Sequence, residues 1–93
     1  MVMIHFRSTD ELAAQQASKE FTAKITPLLE KQVQVIGPMP APLSRVKTFY
    51  RYQLLLRGGN VRVLTRLVRS LIVGVPTPKN VEIYADVDPR TLS

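Results

Sequence analysis

Three arginines, Arg62, Arg66 and Arg69, recur at spacings of four and three. On a helix that spacing places them on one face. Each guanidinium can give a phosphate two parallel charge-assisted hydrogen bonds, so the row has the chemistry to grip a phosphodiester backbone. Arg45, Lys47, Arg51 and Arg57 lie on neighbouring segments, and no acidic residue occurs between positions 37 and 81. A solvated helix face accounts for the same row, and the sequence leaves both readings open. Phosphate binding carries a signature: four or five contacts lower affinity roughly 10²-fold between 50 and 200 mM salt.

Catalytic constellations are weaker. Asp86 and Asp88 share one face of a strand, but two carboxylates without a third acid or a histidine nearby make a poor metal site. His5 stands alone on a strand and reads as a surface or satisfied core residue. Gly58-Gly59 lacks the Gly-Lys-Ser/Thr that a phosphate-cradling loop requires. No serine or threonine has a base partner. The expectation is a non-catalytic chain with neither a metal nor a cofactor of its own.

The cations need a frame. Val2, Ile4 and Phe6 alternate with Met3, His5 and Arg7, the period of a half-buried first strand. Ser8-Thr9-Asp10-Glu11 has a capping-box pattern with Ser8 as N-cap and Glu11 reaching back. Ala14, Ala17, Phe21, Ile25 and Leu28 then form one helical stripe, and Pro27 kinks or ends that helix. Val33 to Ile36 reads as a second strand. Gly37 ends it, and prolines at 38, 40 and 42 predict a stiff extended loop that projects from the sheet and carries Ser44, Arg45 and Lys47. Phe49 to Leu56 forms a third strand.

Asn60 is placed to cap a second helix whose apolar face is Val61, Leu64, Leu67, Val68, Leu71 and Ile72. Gly74 ends it, and Pro76-Thr77-Pro78 connects to a last strand, Val81 to Val87, which Pro89 stops. The order is β-α-β-β-α-β. This is the split βαβ plan of the α+β class, a four-stranded antiparallel sheet with two helices on one face.

Tyr50 and Tyr52 align with Leu54 and Leu56 and read as core rather than as a base-stacking platform. The third strand also lacks the pattern of an RNA-recognition domain. On the opposite sheet face Ile36, Leu55 and Tyr84 sit among His5, Arg7, Gln34, Arg51, Gln53, Glu82 and Asp86. That mixed face suits docking to another surface, and an ordinary solvated sheet explains it equally.

With 93 residues the chain is expected to be a single domain spanning 1–93. At 45% hydrophobic and 22% charged it is globular in composition. No apolar run is long enough for a membrane helix and no signal peptide opens the chain, so neither a membrane partner nor export is expected. The net charge of +6 is uneven. Residues 1–36 balance four cations against four acids, and all the excess lies beyond, where seven of nine cations are arginine. That favours a polyanionic partner, nucleic acid ahead of a membrane surface.

Three stretches carry a family resemblance. Gly37-Pro38-Met39-Pro40-Ala41-Pro42, Arg51-Tyr52-Gln53-Leu54-Leu55-Leu56 and Asp86-Val87-Asp88-Pro89 stand in the order found in the C-terminal domain of the primosomal replication-restart helicase family, PriA. The chain resembles that domain over most of its length, least in residues 1–30. The resemblance implies a DNA-binding module similar in fold to ribosomal protein S10, excised from an ATP-dependent DNA helicase. ATP and zinc would belong to parts of the parent not present here. It further implies branched or forked DNA, the parent's helicase core and single-stranded DNA-binding protein as partners, and a bacterial cytoplasmic location. Gly37, Pro38, Pro40, Pro42, Arg51, Gln53, Asp86, Asp88 and Pro89 match the motifs; Arg45, Lys47, Arg62, Arg66 and Arg69 are the candidate phosphate ligands. Two alternatives stand beside it, an RNA-binding protein resembling ribosomal protein S10 and a purely structural docking domain.

Overall fold

A computed structural model describes residues 1–46, 48–74 and 80–87, with the side chains of 43–46 left out. The elements run β1 (Val2–Ser8), α1 (Glu11–Ile25), a 3-10 turn (Thr26–Leu28), β2 (Gln34–Val46), β3 (Phe49–Arg57), α2 (Val61–Gly74) and β4 (Val81–Val87). The strands form one sheet in the order β2-β3-β1-β4, with every neighbouring pair antiparallel. The expected element order and the α+β class both hold.

The period-two pattern builds the core. Val2, Ile4 and Phe6 of β1 and Leu54 and Leu56 of β3 are fully buried beneath the helices. Ala14, Ala17, Phe21 and Ile25 from α1 and Leu64 and Val68 from α2 close the same cluster. Phe6 and Phe21 meet edge to face with centroids 5.6 Å apart, a geometry that suits the quadrupoles of both rings. Tyr52 belongs to this core. Burial and, secondarily, the Glu11 carboxylate raise its phenol above the ordinary 10.0.

Three expectations are corrected. Asp10, not Ser8, caps α1: its Oδ1 accepts from the backbone N–H of Leu12 (3.0 Å) and Ala13 (3.4 Å). Ser8 is held in the sheet, opposite Tyr50 and Val81, too far back to cap. Its Oγ instead accepts from the Asp10 N–H at 3.0 Å, fixing the turn before the helix. Glu11 then occupies the first turn, where its charge suits the positive end of the helix.

The proline segment is not a projecting loop. Residues 34–46 form one long strand against β3, with register shifts between Ile36 and Met39 and between Pro40 and Arg45. Proline removes a ladder donor, which excludes it from a central strand. β2 is the end strand of the sheet, so half of its backbone groups have no neighbour to serve, and the two irregularities absorb the rest. Gly37 makes the first shift possible. It has φ +105°, and a Cβ there would lie 3.0 Å from the Gln53 carbonyl oxygen. The Gly37–Pro38 peptide is cis.

The third correction is minor: β3 runs one residue further than expected, to Arg57. Gly58, at φ +96°, then turns the chain where a Cβ would meet the Gln32 carbonyl oxygen at 2.7 Å. Pro27 does end α1, passing it into the 3-10 turn. Among the described residues no helix is long and apolar enough to cross a membrane.

Candidate nucleic-acid interface

α2 positions the arginine row. Asn60 starts it, its Oδ1 accepting from the N–H of Arg62 (2.9 Å) and Val63 (3.3 Å). Leu64 and Val68 anchor the inner face, with Val61, Leu67, Leu71 and Ile72 half-buried beside them. Arg62, Arg66 and Arg69 are therefore turned outward, and all three are exposed. At about 1.5 Å of rise per residue the row extends about 10 Å along the helix, within an arc of about 60°.

The row lines an open groove of 340 Å³ formed by Val61, Arg62, Thr65, Arg66 and Arg69 with Val87 of β4. Among the described residues no acidic side chain lines it. Among the described residues the salt bridges are Arg7–Glu82 and His5–Asp86, and neither involves the row. Glu30 Oε1 reaches the Asn60 N–H at 3.5 Å, but it stands outside the groove. Thr65 turns its hydroxyl back onto the Val61 carbonyl at 2.7 Å. Its hydrogen is thus committed to the helix, leaving Val61, Val87 and the Thr65 methyl as the apolar lining. Arg62 lies in the first turn, where a cation opposes the helix dipole and costs stability. The helix dipole therefore disfavours an arginine there.

The other candidate cations are elsewhere. Arg45 lies in β2 opposite Tyr50, at the far edge of the sheet from β4, so its backbone is separated from the α2 side by three strand spacings of about 4.8 Å each. Lys47 lies outside the described residues, as do Pro76, Thr77, Pro78, Asp88 and Pro89. Arg51 and Gln53 are half-buried on the sheet face away from the helices, and Arg57 is exposed at the end of β3. The structure thus gathers three of the five candidate ligands and does not join them to Arg45.

The open sheet face has an organisation that the sequence reading missed. His5 is 8% exposed, with Nε2 at 2.9 Å from Asp86 Oδ2 and its ring stacked on Tyr84 at 4.8 Å. Arg7 Nη2 donates to both Glu82 oxygens, at 2.8 and 2.9 Å, and its guanidinium lies 4.4 Å from the Phe49 ring centroid. These two pairs tie β1 to β4 across the register His5↔Tyr84 and Arg7↔Glu82. Among the described residues His5 Nδ1 and Arg7 Nε are buried without a hydrogen-bond partner. The period-two alternation already put His5 and Asp86 on one face. What it could not supply was the β1–β4 adjacency, which spans 81 residues of sequence. Among the described residues no group of three His, Cys, Asp or Glu side chains is placed to hold a metal.

Fold and site together define a small split βαβ domain with a row of three exposed arginines on one helix. The chain belongs to the primosomal protein N C-terminal domain family, whose model matches residues 1–90. It is similar to replication restart protein PriA of Borreliella burgdorferi, with 28% identity over 92 residues, covering 99% of this chain and 14% of that protein. The PriA of a Synechocystis strain is 27% identical over 93 residues, covering 99% of this chain and 11% of the relative. That of Haemophilus influenzae reaches 37% over 62 residues, 66% of this chain and 8% of the relative. The chain therefore spans about a seventh or less of the relatives it matches. Its place is that of the C-terminal domain of a replication restart protein.

Proposed function

We propose that this domain is a non-catalytic DNA-binding module, and that Arg62, Arg66 and Arg69 hold phosphates of branched or forked DNA during replication restart. The observation that carries this reading is the row itself: three exposed arginines on one groove, with no carboxylate lining it among the described residues. A cation in the first turn of α2 supports it, because that position is unfavourable for the helix and useful for an anion. Arg45 of β2, with Lys47 close to it in sequence, would add further phosphate contacts. The parent would be an ATP-dependent DNA helicase of the bacterial cytoplasm, with single-stranded DNA-binding protein among its partners. The half-buried apolar groups of the open sheet face, beside two buried nitrogens without partners, suit packing against the helicase core.

Fluorescence anisotropy on forked, duplex and single-stranded DNA and on a structured RNA, at 50 and 200 mM salt, tests the reading. Fork preference, a steep salt slope and weakened binding when the three arginines become alanine are the expected results. Equal affinity for the RNA would favour the ribosomal-protein-like alternative. Absence of binding at both salts would leave docking as the better account.

A further inference from the structure

We infer that the groove between α2 and β4 is a single-strand site: it takes the backbone of an unpaired DNA strand rather than the side of a duplex. This rests on the reading of the arginine row as a DNA contact and names the form of DNA the row receives. Three observations carry it. The arginines line a concavity rather than a flat helix face, and its 340 Å³ lies at the small end of ligand pockets. A duplex is a stiff convex rod that meets such a row only along the rim, whereas an unpaired strand bends into it.

The lining of the groove is the second observation. A duplex contacted through its phosphates alone gains nothing from Val61, Val87 and a threonine whose hydroxyl is committed to the helix. An unpaired strand exposes sugar and base faces, which gain from apolar contact. No aromatic ring lines the groove. The strong stacking of dedicated single-strand proteins is therefore missing, and binding here is sequence-tolerant and of modest strength.

The third observation is regularity. The row spans about 10 Å with every position cationic and no acid between, which complements a polymer bearing one charge per unit. An acidic peptide would need carboxylates at matching intervals along an extended chain, so the single strand is the better fit.

The chain has no cysteine, so Thr65→Cys introduces one thiol into the groove. Alkylating it with N-ethylmaleimide fills the groove and leaves all three arginines in place; the unalkylated variant controls for folding and binding. Alkylation is expected to lower affinity for a labelled oligothymidylate by about tenfold, and for a duplex of the same length by less than about twofold. Bound oligothymidylate should also slow the alkylation itself. Equal losses for both DNA forms, or no loss for either, would overturn the single-strand site while arginine-dependent DNA binding stood. Displacement of the oligothymidylate by an acidic peptide at lower concentration than by unlabelled strand would overturn it in favour of a peptide site. If no form of DNA binds the unmodified chain, the reading beneath it fails as well.

Discussion

α1 and α2 cover the same face of one sheet with different sequence strategies. α1 lies across β3 and β1 at the middle of the sheet, and α2 sits towards the β4 edge. Five residues of α1 are buried, against two of α2. The charges of α1 cancel, Lys19 and Lys24 against Glu11 and Glu20, whereas those of α2 are Arg62, Arg66 and Arg69 without an acid. α1 obeys the dipole at both ends, with Glu11 in its first turn and Lys24 in its last; α2 opposes it with Arg62. A helix that follows every local rule is accounted for by folding. One that breaks a rule while keeping its apolar stripe intact points to a second constraint, and the proposed anionic partner would supply it.

The comparison can be broken first through stability. Phe21→Ala removes a buried ring from α1 and should cost about 3–5 kcal/mol, a large part of what a domain of this size possesses. Leu64→Ala on α2 should cost about 2–3 kcal/mol, at the lower end for a buried leucine, because α2 sits near the edge where its neighbours can collapse inward. Urea unfolding of the two variants checks the order. A greater loss for Leu64→Ala would mean that α2 is no less structural than α1.

Next comes binding. Replacing Arg62, Arg66 and Arg69 with alanine should reduce the log–log salt slope on single-stranded DNA by about 2, from three contacts at about 0.7 each. The same variant should keep its melting temperature or raise it slightly, since alanine favours helix and the unfavourable first-turn cation is gone. Lys19→Ala with Lys24→Ala on α1 should leave the slope unchanged. An equal effect from the α1 pair would reduce the row to diffuse surface charge.

Smaller effects test the helix starts. Asp10→Ala and Asn60→Ala each remove a side-chain cap and should cost about 0.5–2 kcal/mol, read by thermal melts. Only Asn60→Ala should also weaken DNA binding, because only α2 is proposed to present its first turn to the DNA. A matching loss of DNA affinity in Asp10→Ala would remove the distinction between the two helices.

Much of this contrast was legible in the sequence, and the reasons differ by element. Strong periodicity revealed both helices and β1, β3 and β4, since each buries one face and leaves the other wet. The outward turn of Arg62, Arg66 and Arg69 followed from the apolar stripe of α2. The proline segment misled because its meaning depends on sheet order: three alternate prolines exclude a central strand, yet they are tolerated in β2 because it is the edge. Ser8 was misread as a cap because a local pattern competes with the tertiary register that holds Ser8 in β1. The groove needed Val87 beside Val61 and the open face needed Asp86 beside His5, and local patterns do not encode such adjacencies.

The smallest effect lies where α1 meets β3. Burial and the nearby Glu11 carboxylate hold the Tyr52 phenol above 10.0. In the unfolded chain this tyrosine ionises at its ordinary value, so as pH rises past 10.0 the unfolded state loses a proton that the native state still keeps. Stability therefore falls with pH above about 10, and this contribution levels off once the native phenol ionises as well. Alkaline difference spectra should show a late tyrosinate component that is absent in Tyr52→Phe, and that variant should lose less stability over the same interval. Burial is the larger cause, so Glu11→Gln should move the late midpoint down only slightly. An unmoved midpoint in Glu11→Gln would separate the first turn of α1 from Tyr52, and with it the claim that the charges of α1 act inward on the fold while those of α2 act outward.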